Sequence, residues 1–332
     1  MKIKRIIFFG LGGAGQRHLK IIYKIFSNYL FYAVRKVNKV GEINDNFKLT
    51  KKTLEQKYKK ISFFKNINIL SSKKLDYAFV SNHTSGHYKV AKICALNKIN
   101  IFSEKPFFCT LAQFDQLQKI INKYKLKFLV GYQRRFHPLV LKLGKIIKKN
   151  INEIKIVNIK VSSYVPDWHP YEDFKNLYAC KKQLGGGALL TECHEIDLVI
   201  NFFGLPEEVL CKKKFNRSDI NVESGYYLKL SYSNFNVIFD INMFDKNNLQ
   251  RTIFIKTIKN SYLLDLQRNY LIYGNKKITT SAFSNKLQFI RQIKFFFSNY
   301  FDKKNSLLQA RKNLLILIAA IKSHRYDRVI TL

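Results

Sequence analysis

Acidic side chains are in short supply in this 332-residue chain: 22 aspartates and glutamates stand against 59 lysines and arginines, a formal net charge of +37. Such a deficit invites a nucleic-acid or acidic-membrane reading. Arginine, the better reader of phosphates and bases, is itself scarce, so the surplus is mostly lysine. The lysines are spread along the chain, as in Lys51-Lys52, Lys59-Lys60, Lys73-Lys74, Lys148-Lys149 and Lys212 to Lys214. They travel with isoleucine, asparagine, phenylalanine and tyrosine, the set that AT-rich codons produce. The charge therefore reads as a solvated face, and neither a nucleic acid nor a membrane is expected as partner. No recognition helix or RNP-like motif argues otherwise. Cysteine is sparse too: five, an odd number with no close pairing, exclude a disulfide framework and a zinc knuckle. No metal site is expected, and a reducing cytoplasm is the natural compartment. Long apolar runs are missing; the best, Leu314 to Ile321, falls well short of the roughly 18 residues a membrane span needs and reads as a buried helix segment. The chain opens directly on an apolar strand pattern, Ile3 to Phe9, so no signal peptide is expected.

What is present has the length and composition of two globular domains. The first third alternates strand and helix. Ile3 to Phe9 precedes a helix pattern from Ala14 to about Ser27, then strand Tyr29 to Val34, a Lys-rich helix near Leu49 to Lys60, and strand Ile61 to Phe64. Strand Leu75 to Val80, a helix through Asn97, strand Ile99 to Phe102, a helix from Leu111 to Tyr124 and strand Lys127 to Tyr132 complete the series. Strands apolar on both faces, interleaved with helices, predict a doubly wound parallel sheet, α/β in class. From about residue 150 the strands lengthen and become half-polar: Ile154 to Tyr164, Tyr226 to Tyr232, Asn236 to Met243, Thr252 to Thr257, Tyr262 to Leu266 and Tyr270 to Tyr273. These predict a mainly antiparallel sheet with one covered face, with a helix around Ala188 to Phe203 and closing helices from Leu287 to about His324. The expected domains are 1–134 and 135–332, with no internal repeat and no low-complexity linker.

Gly10-Leu11-Gly12-Gly13-Ala14-Gly15 is G-x-G-x-x-G between a strand and a helix. The first glycine makes a tight turn, the second admits a pyrophosphate to the backbone, and the third allows close helix–strand packing. The helix N-terminus supplies N–H groups and the positive end of a dipole. About 20 residues on, where an Asp or Glu would hold the ribose of NAD, the chain has Arg35 followed by Lys36. An arginine there fits a 2′-phosphate, which favours NADP over NAD. After the strand ending at Phe102 comes Ser103-Glu104-Lys105-Pro106-Phe107, in which the proline bars Lys105 from the helical region and aims it. A lysine at that sheet edge can reach a hydroxyl about to become a ketone. Desolvation and a positive nicotinamide ring favour its neutral amine, while Glu104 opposes them. Farther on, Gly185-Gly186-Gly187 opens a helix on which His194 and Asp197, three apart, share a face.

"GLGGAGQRH", "SEKPF", "VGYQRRFHP" and "GGGALLTECHEIDLVINFFG", in this order and spacing, resemble the Gfo/Idh/MocA family of glucose–fructose oxidoreductase and inositol dehydrogenase relatives. The resemblance implies an N-terminal Rossmann domain and a C-terminal α+β domain on a large, mainly antiparallel sheet that often serves as a dimer face. It implies oxidation or reduction of a secondary hydroxyl on a sugar, nucleotide sugar or inositol, with NAD or NADP. Lys105 and His194 match the family's catalytic lysine and histidine. Gly10, Gly12, Gly13, Ala14, Gly15, Arg35, Asn82, Glu104 and Lys105 fall on the cofactor side. Arg134 and Arg135 fall on the Arg-Phe segment at the mouth of the site. "YVPDWHPYEDF" looks like the version in members linked to surface-polysaccharide sugars, which puts Asp167, Trp168 and His169, with Arg135 and Asp197, at the substrate. One departure stands out. Thr191 occupies the place of an aspartate that many members carry before the histidine, with the spacing one residue shorter; Glu192 or Asp197 would have to take over its role. The alternative is a catalytically silent NAD(P)-binding sensor of the same fold.

Overall fold

The computed structural model describes residues 3–26, 28–35, 41–44, 48–58 and 61–332. The chain forms two compact units: Met1–Gly131 with His169–Asp173 and Gln292–Arg311, and Tyr132–Trp168 with Phe174–Arg291 and Lys312–Leu332. In the first unit the strands are β1 (Lys4–Phe9), β2 (Tyr29–Val34), β3 (Gly41–Ile43), β4 (Leu49–Thr53), β5 (Ile61–Phe64), β6 (Tyr77–Val80), β7 (Asn100–Ser103) and β8 (Phe128–Val130). Six of them pair in the order β5-β2-β1-β6-β7-β8, all parallel. The order reverses between β1 and β6, and such a reversal opens a crevice at the carboxyl ends of the strands. This is the doubly wound Rossmann sheet that the alternating pattern predicts.

The core of this unit is aromatic. Phe8 stacks on Phe79 at 5.3 Å, and Phe79 on Phe102 at 4.8 Å, all three fully buried. Part of it arrives from far along the sequence. Phe296 sets its ring edge-on against Tyr77, Phe79 and Phe102 at 5.7 to 5.9 Å. The backbone around it is tied down as well: Lys127 Nζ donates to the carbonyls of Phe296 (3.1 Å) and Ser298 (2.7 Å), and Ser306 Oγ donates to Phe128 O (2.6 Å). The segment 292–311 thus completes the first unit's core, a long-range contribution that local patterning does not carry.

The expected Lys-rich helix from Leu49 to Lys60 is instead a hairpin, β3 with β4, leading into one short turn of helix, Leu54–Lys57. The reason is Gln16. Its side chain accepts from Ile43 N (2.8 Å) and donates to Gly41 O (3.0 Å) and to Leu11 O (3.0 Å), fixing β3 in extended form against the glycine loop. Ser27, Lys59 and Lys60, the ends foreseen for two helices, lie outside the described residues.

In the second unit the described strands are β9 (Ile154–Ser162), β10 (Glu208–Lys214), β11 (Gly225–Ser231), β12 (Asn236–Asn242), β13 (Gln250–Thr257), β14 (Ser261–Asp265), β15 (Tyr270–Tyr273), β16 (Lys276–Thr279) and β17 (Ile330–Thr331). They form one sheet, β16-β15-β14-β13-β9-β12-β11-β10-β17. Neighbours are antiparallel except β9 and β12, so the sheet is mixed. Alternate residues such as Leu228, Leu230, Val237, Phe239, Ile253 and Ile255 are buried, giving it the one covered face that the half-polar strands require. Strand β10 was hidden by its lysine run, Lys212 to Lys214, which reads as solvated charge although Val209 and Cys211 are fully buried. No described helix is long and apolar enough to cross a membrane.

Because Phe296 plugs the first unit, Phe296→Ala should destabilise it by about 3–5 kcal/mol, the cost of truncating a buried phenylalanine. Denaturant unfolding followed by near-UV circular dichroism checks this.

Candidate functional site

Every chemistry-bearing loop of the first unit leaves from the carboxyl edge of its sheet. The glycine loop follows β1 and runs into the helix Gly13–Ile25, capped by Gly12 with no side-chain cap and no acid in its first turn, where Gly13, Ala14 and Gly15 lie. A Cβ on Gly12 would meet nothing within 4 Å, whereas one on Gly15 would lie 2.2 Å from Gly10 O. Open space beside an uncapped, positive helix end is room for a pyrophosphate. At the switch point, Asn82 Oδ1 is buried with no hydrogen-bond partner among the described residues. A ribose or amide N–H or O–H would satisfy it. These features fit a dinucleotide.

Glu104 begins the loop after β7. Its Oε1 lies 2.6 Å from His18 Nε2 on the first helix, and its Oε2 accepts from the Lys105 backbone N–H at 3.1 Å. Burial pushes this carboxyl up, but the hydrogen bond and charge of His18 and the charge of Lys105 outweigh it and bring the pKa to about 2. Both oxygens of Glu104 thus serve the protein, and the carboxylate sets the turn that carries Lys105. The Lys105–Pro106 peptide is cis. Across the same edge, fully enclosed His87 places Nδ1 2.9 Å from Pro106 O and Nε2 2.9 Å from Asn82 O, joining the two loops. Burial lowers its pKa, against the pull of those two carbonyls. Sequence reading missed His18 and His87 as braces. His18 was in view, inside the quoted glycine motif, but a lone histidine carries no sign of the carboxylate 86 residues away.

Arg35, at the end of β2, pairs with the Glu55 carboxylate and lies over the Phe63 ring, 4.0 Å from its centroid. Lys36 lies outside the described residues.

In the second unit, the expected continuous helix at 188–203 is broken. A turn, Ala188–Thr191, is followed by the helix His194–Phe203, so His194 begins a helix instead of lying inside one. The break has a cause in Glu192. Its carbonyl accepts from Tyr226 OH (3.0 Å), and its carboxylate from Ser163 Oγ (2.8 Å) and Arg251 Nη2 (2.7 Å). Gly187, at φ +102°, starts the turn where any Cβ would strike the Glu223 carboxylate at 2.6 Å. His194 is buried, with Nε2 3.3 Å from Gln133 Nε2 and its ring edge-on to Tyr132. Asp197 is wholly buried; Arg135 grips it through Nε (2.6 Å) and Nη2, and Asn313 Nδ2 donates to it at 2.7 Å. Burial pushes the Asp197 carboxyl above the usual range, and Arg135 and Asn313 offset this only in part. Asp197 therefore anchors Arg135.

Neither acid proposed to replace the missing aspartate is idle. Glu192 shares Arg251 with Glu195, whose two oxygens each lie 2.8 Å from Arg251 Nη1, and Arg134 Nε approaches Glu195 at 3.5 Å. Two buried carboxylates and two guanidiniums balance in charge. Burial and the neighbouring Arg251 bring Arg134 down to about 10, while its carboxylate partners raise Arg251. Of the expected substrate residues in the loop after β9, Asp167 is exposed and Trp168 half-buried within the second unit. His169 belongs to the first unit, where Nδ1 lies 2.8 Å from Glu172 and the ring stacks on Tyr171.

Residues 4–132 match the Gfo/Idh/MocA oxidoreductase family, NAD-binding Rossmann fold. The match lies in the N-terminal part of the chain, and the family is the one that the chain's four motifs resemble. Over 163 residues the chain is 27% identical to the trans-1,2-dihydrobenzene-1,2-diol dehydrogenase of Xenopus tropicalis, covering 48% of this chain and 46% of the relative. The match spans about half the length of the curated relatives. Among solved structures, GenD2 from gentamicin A biosynthesis, in complex with NAD, is similar with a TM-score of 0.81 at 14% identity, over 100% of this chain and 97% of that one. The WlbA dehydrogenase of Chromobacterium violaceum, in complex with NADH and UDP-GlcNAcA, is similar with a TM-score of 0.76 at 17% identity, over 100% and 96%. These likenesses show that the fold is shared from end to end.

Two outcomes follow from the buried charges. Glu104 has a pKa depressed to about 2 from an ordinary 4.5, so its stabilisation is present above pH 4.5 and lost as pH falls through 2. Glu104→Gln should cost on the order of 3 kcal/mol at neutral pH and progressively less toward pH 2, read by urea unfolding across that range. Arg251→Met strands two buried carboxylates and should cost about 3–5 kcal/mol by the same measurement at pH 7.

Proposed function

We propose that the protein is an NAD(P)-dependent oxidoreductase that moves a hydride between a nicotinamide cofactor and a secondary hydroxyl or ketone of a sugar, nucleotide sugar or inositol-like compound. One observation carries this reading: an uncapped glycine loop and a lysine turn, braced by Glu104 and His87, share one sheet edge inside a domain of the Gfo/Idh/MocA family. The bound dinucleotide would supply the two-electron acceptor or donor. Gly10, Gly12, Gly13, Ala14 and Gly15 would hold its pyrophosphate, and Asn82 its nicotinamide half. Residues 1–134 carry the cofactor side in this reading, and 135–332 the substrate side.

Lys105 takes the proton from the substrate hydroxyl in oxidation and returns it in reduction. The Glu104 carboxylate fixes the Lys105 backbone, so it acts as a positioning residue. His194, enclosed beside Gln133 and Tyr132, orients the reacting hydroxyl and assists the proton's movement. Arg135, held by Asp197, presents what remains of its guanidinium to substrate oxygens. Asp167 and Trp168 complete the substrate side, where a tryptophan face suits a sugar ring. The nucleotide sugar bound to the WlbA dehydrogenase supports that substrate class. The nine-stranded sheet is proposed as the face through which copies of the chain associate.

Replacing Lys105 by alanine should lower kcat by about 10²–10⁴-fold, the usual worth of a positioned acid–base group. Dinucleotide binding should persist. Steady-state assays over a panel of sugars and nucleotide sugars check this, and near-wild-type turnover would overturn the role of Lys105.

A further inference from the structure

The end of β2 is where a Rossmann sheet meets the adenosine ribose, usually with an Asp or Glu on the 2′-hydroxyl. Here that position is Arg35, and its surroundings decide what it can do. The guanidinium is paired with Glu55, lies over Phe63, and its side chain is only 9% exposed; the backbone N–H donates to Phe64 O at 3.0 Å. Glu55 is not a passing surface acid. It sits in the first turn of the helix Leu54–Lys57, which is set by a reciprocal cap between Thr53 and Gln56. The hairpin of β3 and β4 leads into that helix and is bonded through Gln16 to the carbonyl of Leu11 within the glycine loop. The carboxylate is therefore presented by an element fastened to the cofactor loop itself.

One oxygen of Glu55 holds Arg35. The other, Oε2, is buried with no hydrogen-bond partner among the described residues. A buried carboxylate oxygen lacking a donor is costly unless something supplies one. A ribose hydroxyl is a donor of the right kind; a 2′-phosphate has none to offer and would bring charge of about −2 against the carboxylate.

Resting on the dinucleotide reading above, we infer that Glu55 is the specificity-determining residue for the cofactor. It supplies, from the inserted hairpin, the carboxylate missing from the end of β2, and occupies the guanidinium that a 2′-phosphate would need. The chain then selects NAD over NADP despite Arg35.

Titration of the full chain with NADH and with NADPH, followed by nicotinamide fluorescence, tests this. The wild type should bind NADH at least about tenfold more tightly than NADPH, the worth of one charge-assisted contact. Glu55→Gln should gain about tenfold in NADPH affinity and collapse the ratio, and adding Arg35→Ala should abolish that gain. A wild type that prefers NADPH, or an NADPH affinity unmoved by Glu55→Gln while NADH still binds, overturns the role of Glu55 and leaves the oxidoreductase reading standing. Binding of neither dinucleotide overturns both. The wild-type ratio requires no variant, so a Glu55→Gln chain that failed to fold would not shield the inference.

Discussion

The carboxylate of Glu104 is the brace on which the carboxyl edge of the first unit's sheet depends. A charge buried at a sheet edge survives only when it is paired and hydrogen-bonded, and Glu104 achieves this by joining His18, on the glycine-loop helix, to the backbone of Lys105. The bonds that stabilise the acid therefore fix the glycine-loop helix and the loop after β7 with respect to each other. His87 does the equivalent work between the loops after β6 and β7, with a carbonyl at each ring nitrogen. Lys105 owes its place to these braces as much as to the proline beside it.

The second unit follows a similar logic with larger stakes. Its glycine-opened turn ends where Glu192 is drawn out to Arg251, and that departure places His194 at the start of a helix. Four buried charges, on Arg134, Glu192, Glu195 and Arg251, compensate one another, and Arg135 forms a separate ion pair with Asp197. Removing any single member strands the rest. The position of Thr191 is consistent with this arrangement: nearby acids are already committed to arginines, and buried Thr191 adds no further charge to balance.

Much of this was legible in the sequence. Strand–helix alternation gives the parallel sheet, half-polar strands give the mixed one, and the strand–glycine–helix context gives the uncapped glycine loop at the sheet's carboxyl edge, because each depends on local patterning with a single physical cause. What stayed hidden depends on partners distant in sequence. Phe296 belongs to the first unit's core although it lies 194 residues beyond Phe102. Arg35 could be read as a phosphate reader, but Glu55 stood in a lysine-rich stretch that looked like a helix and is preceded by a hairpin held by Gln16. Asp197 looked like a helix-face partner of His194, whereas Asn313 and Arg135 enclose it. Residue type showed which groups matter; only tertiary pairing shows which of them remain available.

The proposed activity depends above all on a nicotinamide dinucleotide bound along the carboxyl edge of the first sheet. Hydrogen–deuterium exchange of the full chain with and without NADH tests it most directly. Bound NADH should slow exchange in three segments separated in sequence, Gly10 to Gln16, Ser81 to Thr84 and Glu104 to Phe107. Exchange that is unaltered in all three, at NADH concentrations that saturate any binding, would contradict it.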